Sequence, residues 1–303
     1  MTDNVFQSSH NNLPNGVFSP AIYSKKVLQY FRKSAVASDL TNSDYYGEIS
    51  NYGDTVHIIL EPTISIQDYS RGQKLVTQPI NDEETTLTID TAKVWQFAVD
   101  DIETKQAHLN WQSLATSAAM YALKDEFDTT ILSRIAAGTT DAANIYGADS
   151  GSAIDTGFGT SEISPLAVIN RLGRLLDDQN VPSDQRWLVA APVFWEQLRS
   201  EQSALVNFDF VKSGDILRNG RITEGNAYGF TMYTSNNMPA AVTTNVHQVL
   251  AGHRCAVATA NTMEKTEVVR SEDFFGDKVR GMHLYGSKVL RTNALAKAYC
   301  LID

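Results

Sequence analysis

The sequence predicts an α+β protein on three observations. Apolar residues recur at helical spacing in one long run from about residue 100 to 137. They alternate with a period of two from Tyr45 to Gln67, and again from Thr86 to Val99. Between 164 and 291, proline-marked helix starts alternate with short β-rich runs. Composition agrees: the chain has 303 residues, 43% hydrophobic and 20% charged, enough apolar material to fill a core. That length is near the limit for a single core, so two lobes or an extended shape are expected. No unbroken apolar run of about 18 residues occurs. Met1–Gln7 lack the basic and apolar regions of a signal peptide. Cys255 and Cys300 are the only cysteines and form no C-x-x-C pair. A transmembrane helix, a disulfide scaffold and a zinc ribbon are thereby excluded.

In chain order, residues 1–16 are polar and read as an arm that needs a partner. Ser19-Pro20 caps a helix to about Ala37, with Ile22, Val27, Leu28, Phe31 and Ala35 on its apolar positions. The pairs Lys25-Lys26 and Arg32-Lys33 lie between them. Val56, Ile58 and Leu60, continued by Thr63–Gln67, form an outgoing β arm, and Asp68–Gln73 a turn. Thr86–Asp90 and Val94–Val99 form the returning arm. Arms of roughly 20 residues reach on the order of 60 Å. Such a hairpin is marginal alone, so a neighbouring copy is expected to cover it. Asp100-Asp101 are predicted to open the long helix, placing carboxylates at its positive end. Gly138 is predicted to end it. Residues 138–163 read as a loop or linker. Ser164-Pro165 starts a helix through Asp178, Trp187–Ala191 is a buried strand, and Pro192 starts a helix through Leu198. Strands are expected at Phe230–Tyr233, Val246–Leu250, Val257–Thr262, Lys265–Arg270, Lys278–Tyr285 and Ser287–Arg291.

Charge is uneven. The net of −10 is not suited to gripping nucleic acid over the whole surface. Residues 1–43 carry four bases against two acids, whereas 44–99 carry nine acids against three bases. Two solvated faces account for this, and so does docking of one copy's segment on another's.

No catalytic constellation emerges. The six histidines show no metal-ligand spacing on one element. Gly157-Phe158-Gly159 begins like a dinucleotide loop, but Glu162 stands where the third glycine belongs. Asp149-Ser150-Gly151 lacks a nucleophile elbow. Asp100-Asp101 and Asp177-Asp178 are adjacent pairs whose side chains point apart on a helix, so capping and solvation explain them. No enzyme activity and no cofactor is expected.

The order of parts resembles the HK97-like major capsid proteins of tailed bacteriophages, and more narrowly the P22-coat-like group without an inserted domain. Four stretches carry it: Leu87–Ile102, where a returning arm runs into the long helix; Val181–Pro192; Gly229–Pro239; and Tyr285–Arg291. The resemblance covers about 17–303. It implies an N-terminal arm and helix (1–43), an extended β loop (44–99) and a peripheral domain with a long spine helix (100–160). An axial domain (161–255) follows, and 256–303 supply return strands of the peripheral domain and the C-terminal end of the axial domain. It further implies hexamers and pentamers of an icosahedral shell around double-stranded DNA. The subunit would assemble in the host cytoplasm and end in the virion. Scaffolding, portal and decoration proteins are the implied partners. The absence of a long prefix points to a separate scaffolding protein. No Lys–Asn–Glu set matches the cross-linking branch. Assembly contacts are expected at Lys25, Lys26, Arg32 and Lys33, and at the loop tip residues Asp68, Tyr69, Arg71 and Lys74. An encapsulin-like cage and a soluble α+β enzyme with a site between lobes are the alternatives.

Overall fold

A computed structural model describes residues 33, 35–44, 55–59, 64–74, 77–78, 84–100, 111–149, 151–159, 161–199, 226–241, 243–272 and 275–302. The predicted helix from Pro20 lies outside them up to Arg32; Lys33, Ala35 and Val36, which it was expected to include, are described and not helical, and only its last residue, Ala37, is in a helix. That residue opens the one-turn helix α1, Ala37–Leu40.

The main core forms around a mixed sheet. Its strands are β4 (Ile145–Tyr146), β5 (Ile154–Asp155), β6 (Arg186–Ala190), β7 (Asn226–Ala227), β8 (Phe230–Thr234), β9 (Val246–His253) and β12 (Leu295–Leu301). The order is β4-β12-β9-β6-β8-β7, with β5 also paired to β12. Every residue of β6 is buried, as the apolar run Trp187–Ala190 requires of a strand covered on both faces. Helices α3 (Pro165–Asp178) and α4 (Pro192–Leu198) bury apolar faces in the same core. Ser164 Oγ caps α3 by accepting from the Ala167 N–H at 3.3 Å, and Pro165 fills the first position, where no N–H is needed. Val168, Ile169, Leu172, Leu175 and Leu176 form its buried stripe.

The second sheet is antiparallel, in the order β10-β11-β3, from Val257–Arg270, Gly276–Val289 and Thr91–Asp100. The 14-residue β10 and β11 run on from the main core, where Val257 pairs with Val289. Helix α2, Trp111–Gly138, is about 42 Å long at 1.5 Å per residue and lies against this sheet. Phe127 meets Tyr285 edge to face at 4.9 Å, and Lys93 bonds Glu126 at 2.6 Å. Only its C-terminal half is buried, through Asp128, Ile131, Leu132, Ile135 and Ala136. A two-stranded ladder, β1 (Thr55–Ile59) with β2 (Glu84–Thr88), completes the described fold.

Several expectations change. Residues 138–163 are no linker: they hold a 3₁₀ turn, Ala142–Asn144, and the two strands parallel to β12. The pairs of strands expected at 257–270 and 278–291 are each one strand, because Asn261 and Met263 absorb a register shift without breaking the ladder. β12 was not foreseen. Residues 64–67 are outside any strand. Asp100 ends β3 opposite Gly276 instead of opening the helix. The Gly138 φ is not left-handed; a Cβ there would lie 2.5 Å from Val289 Cγ2, so close packing explains the glycine. Among the described residues the buried apolar side chains form one large cluster in the main core and a small one of Leu87, Ile89, Ala258, Ala260 and Leu284.

Candidate assembly site

Between β1 and β2 the described residues, 64–74 and 77–78, carry contacts at positions that match the register of the β1–β2 ladder. The ladder pairs Thr55 with Thr88 and Ile59 with Glu84. Stepping on along both arms brings Ser65 opposite Gln78 and Ser70 opposite Gln73. Hydrogen bonds occur at both places. The Gln78 side-chain amide donates to the Ser65 carbonyl at 3.0 Å and accepts from the Ser65 N–H at 3.3 Å. The amide group thus substitutes for a backbone pair. At the tip the Gln73 N–H donates to the Ser70 carbonyl at 2.9 Å, and Gly72 takes φ +85° at the position where a type II turn demands a positive φ.

This hairpin covers itself poorly. Ile59, Ile64, Ile66 and Tyr69 are 79%, 68%, 97% and 64% exposed. Asp68, Tyr69, Arg71 and Lys74 all sit exposed at or beside its tip. These large apolar side chains are left open to solvent by the described residues.

Its root is firmly held. Leu87 and Ile89 are buried, with Val56 and Ile58 packed against their cluster. A Cβ on Gly286 would collide with the Thr88 carbonyl, so glycine permits β11 to pass under the root. Arg134 of α2 then ties the root to the spine. Its Nη1 donates to Ser287 O at 3.0 Å and Ser287 Oγ at 2.8 Å, and its Nη2 donates to Asp90 Oδ1 at 3.1 Å and Thr91 Oγ1 at 3.0 Å. Partial burial raises the Asp90 pKa, but the hydrogen bonds from Thr91 and Arg134 outweigh it and hold the carboxyl below its usual range.

Of the four basic candidates, Lys25, Lys26 and Arg32 lie outside the described residues. Lys33 is engaged within the chain: its Nζ donates to Asn237 Oδ1 at 2.8 Å and lies 3.5 Å from Asp125 Oδ2. Arg134, Gly286 and the Ser65–Gln78 pair were missed by sequence reasoning. The signal for the pair was available, since the hairpin register follows from placing the turn at Arg71-Gly72.

The chemical candidates have structural uses. The Glu162 carboxylate accepts from the Gly159 N–H at 2.6 Å and fills the space beside Gly157 and Gly159 that a phosphate would need. Asp177 accepts from Arg186 at 2.7 Å. His253 Nδ1 accepts from the Cys255 N–H at 3.1 Å, capping a 3₁₀ turn, and burial lowers the histidine pKa. An open groove of about 460 Å³ beside Val94, Trp95 and Met282 contains Glu267. Lys265 and Arg280 both bond that carboxylate and hold it below its usual range. Among the described residues, no cluster of three or more metal-ligating side chains occurs, and no helix is long and apolar enough to cross a membrane.

A long spine helix along an antiparallel sheet, a second mixed sheet and a rooted, exposed hairpin together define an HK97-like shell subunit. The family described as phage capsid protein matches residues 82–298, and the chain belongs to it. Its role is therefore structural, as a major capsid protein of the virion that self-assembles into a shell. The chain is similar to a solved structure from Mycobacterium phage Che8, with 26% identity, a TM-score of 0.75, and coverage of 94% of this chain and 98% of that one. It is also similar to the capsid structure of the cyanophage P-SCSP1u, at 20% identity and a TM-score of 0.75, covering 97% of each chain. The mature capsid of bacteriophage PhiM1 aligns at 14% identity and a TM-score of 0.68, covering 92% of this chain and 91% of that one. No curated protein matches the sequence.

Proposed function

We propose that the chain builds hexamers and pentamers of an icosahedral shell that closes around packaged double-stranded DNA. Its parts are an N-terminal arm and helix (1–43), an extended loop (44–99), a peripheral domain (100–160) and an axial domain (161–255), with 256–303 supplying return strands of the peripheral domain and the C-terminal end of the axial domain. The observation that carries this reading is the rooted hairpin with Ile64, Ile66 and Tyr69 open at its outer end. A neighbouring copy supplies the cover that one subunit lacks. Each contact is weak enough to correct errors, and closure makes the sum strong. Asp68, Tyr69, Arg71 and Lys74 are the contacts at the hairpin tip, and Lys25, Lys26 and Arg32 favour an acidic partner surface. Assembly takes place in the host cytoplasm on a separate scaffolding protein, with a portal protein at one vertex and decoration proteins outside. A net charge of −10 lets packaged DNA slide along the wall instead of adhering.

The test replaces Asp68–Gln73 with a short Gly-Ser turn and trims both arms back toward Ile59 and Glu84. The variant is expected to remain a soluble, folded subunit and to form no closed particles. Normal particles from it would remove the hairpin from the account.

A further inference from the structure

The outer part of the loop between β1 and β2 is described at residues 64–74 and 77–78, and no strand is present there. Side chains connect its two arms instead. The Gln78 carboxamide donates through Nε2 to the Ser65 carbonyl at 3.0 Å and accepts through Oε1 from the Ser65 N–H at 3.3 Å. Nearer the tip, Gln73 Oε1 accepts from the Ser70 N–H at 3.3 Å, and the Gln73 N–H donates to the Ser70 carbonyl at 2.9 Å. Counted from Ser70 and Gln73 toward the root, five residues lead to Ser65 and Gln78, and six more to Ile59 and Glu84, which are ladder partners. The tip, the amide contact and the ladder thus keep one register.

Among the described residues, apolar packing does not hold that register. Ile64 and Ile66 are 68% and 97% exposed, so burial does not select the face they occupy. A strand without a buried face is free to slip, and a slip of one residue exchanges its faces. The Gln78 contact resists such a slip. Along an extended chain the N–H and C=O of one residue point to one edge, and those of the next residue point to the other. A carboxamide presents one donor and one acceptor side by side, as a peptide group does. It can therefore engage Ser65 at two points, whereas the same groups of Ile64 and Ile66 point to the opposite edge.

We propose that Gln78 is the positioning residue that sets the register of this outer segment, and with it the face on which Ile64 and Ile66 meet a second copy of the chain. Gln78 acts through Ser65. The meeting with a second copy rests on the shell reading above; the register does not.

Amide exchange on the unassembled full chain reads the contact, and particle yield with a scaffolding protein reads its use. Gln78→Ala is expected to speed exchange at Ser65 about threefold, as loss of an exposed hydrogen bond implies, and to leave the urea midpoint unchanged. The loss is repeated at every copy, so the yield of closed particles should fall about tenfold. Gln78→Asn carries the same groups one methylene short and should behave like Gln78→Ala. Gln78→Glu tests the two-point contact. At pH 7 its carboxylate keeps the acceptor and lacks the donor; at pH 4 the carboxyl is mostly protonated and supplies both. Compared with the unaltered chain at the same pH, Ser65 in this variant should exchange about threefold faster at pH 7 and nearly equally at pH 4. Packing alone would give no such recovery. Unchanged exchange at Ser65 in Gln78→Ala, or no recovery of Gln78→Glu at pH 4, would overturn the contact. Lost protection with undiminished particle yield would overturn its use in assembly. The variant with the short Gly-Ser turn separates this from the shell reading. Normal particles from that variant would remove the loop from assembly altogether; none from it, with normal particles from Gln78→Ala, would remove the assignment to Gln78 alone.

Discussion

Arg186 is 7% exposed, and its guanidinium reaches Asp177 at 2.7 Å, the Pro182 carbonyl at 2.8 Å and the Val181 carbonyl at 2.5 Å. It thereby closes the turn between α3 and β6 and has its charge satisfied, as a buried cation must. Cys300 is the opposite case, a buried group kept neutral. Burial pushes its thiol up to about 11, against a smaller lowering by a hydrogen bond with Thr156. At pH 8 only about one molecule in a thousand then carries the thiolate, the reactive form. Iodoacetamide at pH 8 is expected to label half-buried Cys255 well before Cys300 in the folded chain, read by mass spectrometry of quenched peptides. Equal labelling rates would contradict the burial of Cys300. The raised value has a stability consequence of definite sign. Below pH 9 both states hold the proton; from about 9 to 11 only the unfolded chain gives it up, so stability falls across that window.

Among the elements, the connection from β2 to β3 matters most, because the hairpin is only as well aimed as its root. Arg134 makes five hydrogen bonds there, to Ser287, Asp90 and Thr91. Arg134→Met should lower the stability of the unassembled chain by on the order of 2 kcal/mol, discounted for the exposure of Asp90. Urea unfolding measures it, and exchange at Thr88–Thr91 should quicken in parallel; an unchanged midpoint would show the root to be held by packing alone. Since the Asp90 pKa is lowered, its share of the clamp persists above the ordinary carboxylate range and is lost as pH falls through the folded value. Helices α3 and α4 were readable to the residue, since Ser164-Pro165 and Pro192 punctuate the chain where a missing N–H does no harm. β12 was not readable. Leu-Ala-Lys-Ala-Tyr-Cys-Leu has no β-branched residue, and its strand state comes from pairing with β9 on one side and β4 and β5 on the other. The period-two pattern of 91–99 was readable as a strand, but not its partner. Alternation fixes which residues share a face, and only the tertiary fold shows that β3 joins β11 instead of continuing the hairpin. Asp128 left a signal that was overlooked: it shares a helical stripe with Ile131, Leu132 and Ile135, where an unpaired carboxylate would be too costly to bury.

At the scale of the whole molecule, the chain divides its labour unevenly. The mixed sheet with α3 and α4 holds most of the buried apolar residues. The three-stranded sheet, the N-terminal half of α2 and the hairpin carry much less. Surface that a compact enzyme would bury is left open, and a shell subunit uses such surface on its neighbours. The class was legible early because the order of parts, from paired β segments to long helix to mixed sheet, is written along the chain even where each motif is loose. The joints between parts were not, since Arg134, Gly286 and Asp128 act across separations that no local pattern records. The most direct test of the central claim is electron microscopy of the purified chain, expressed alone and together with a scaffolding protein. Closed shells, aberrant shells or tubes in at least one condition are predicted; uniform small oligomers in every condition would contradict it.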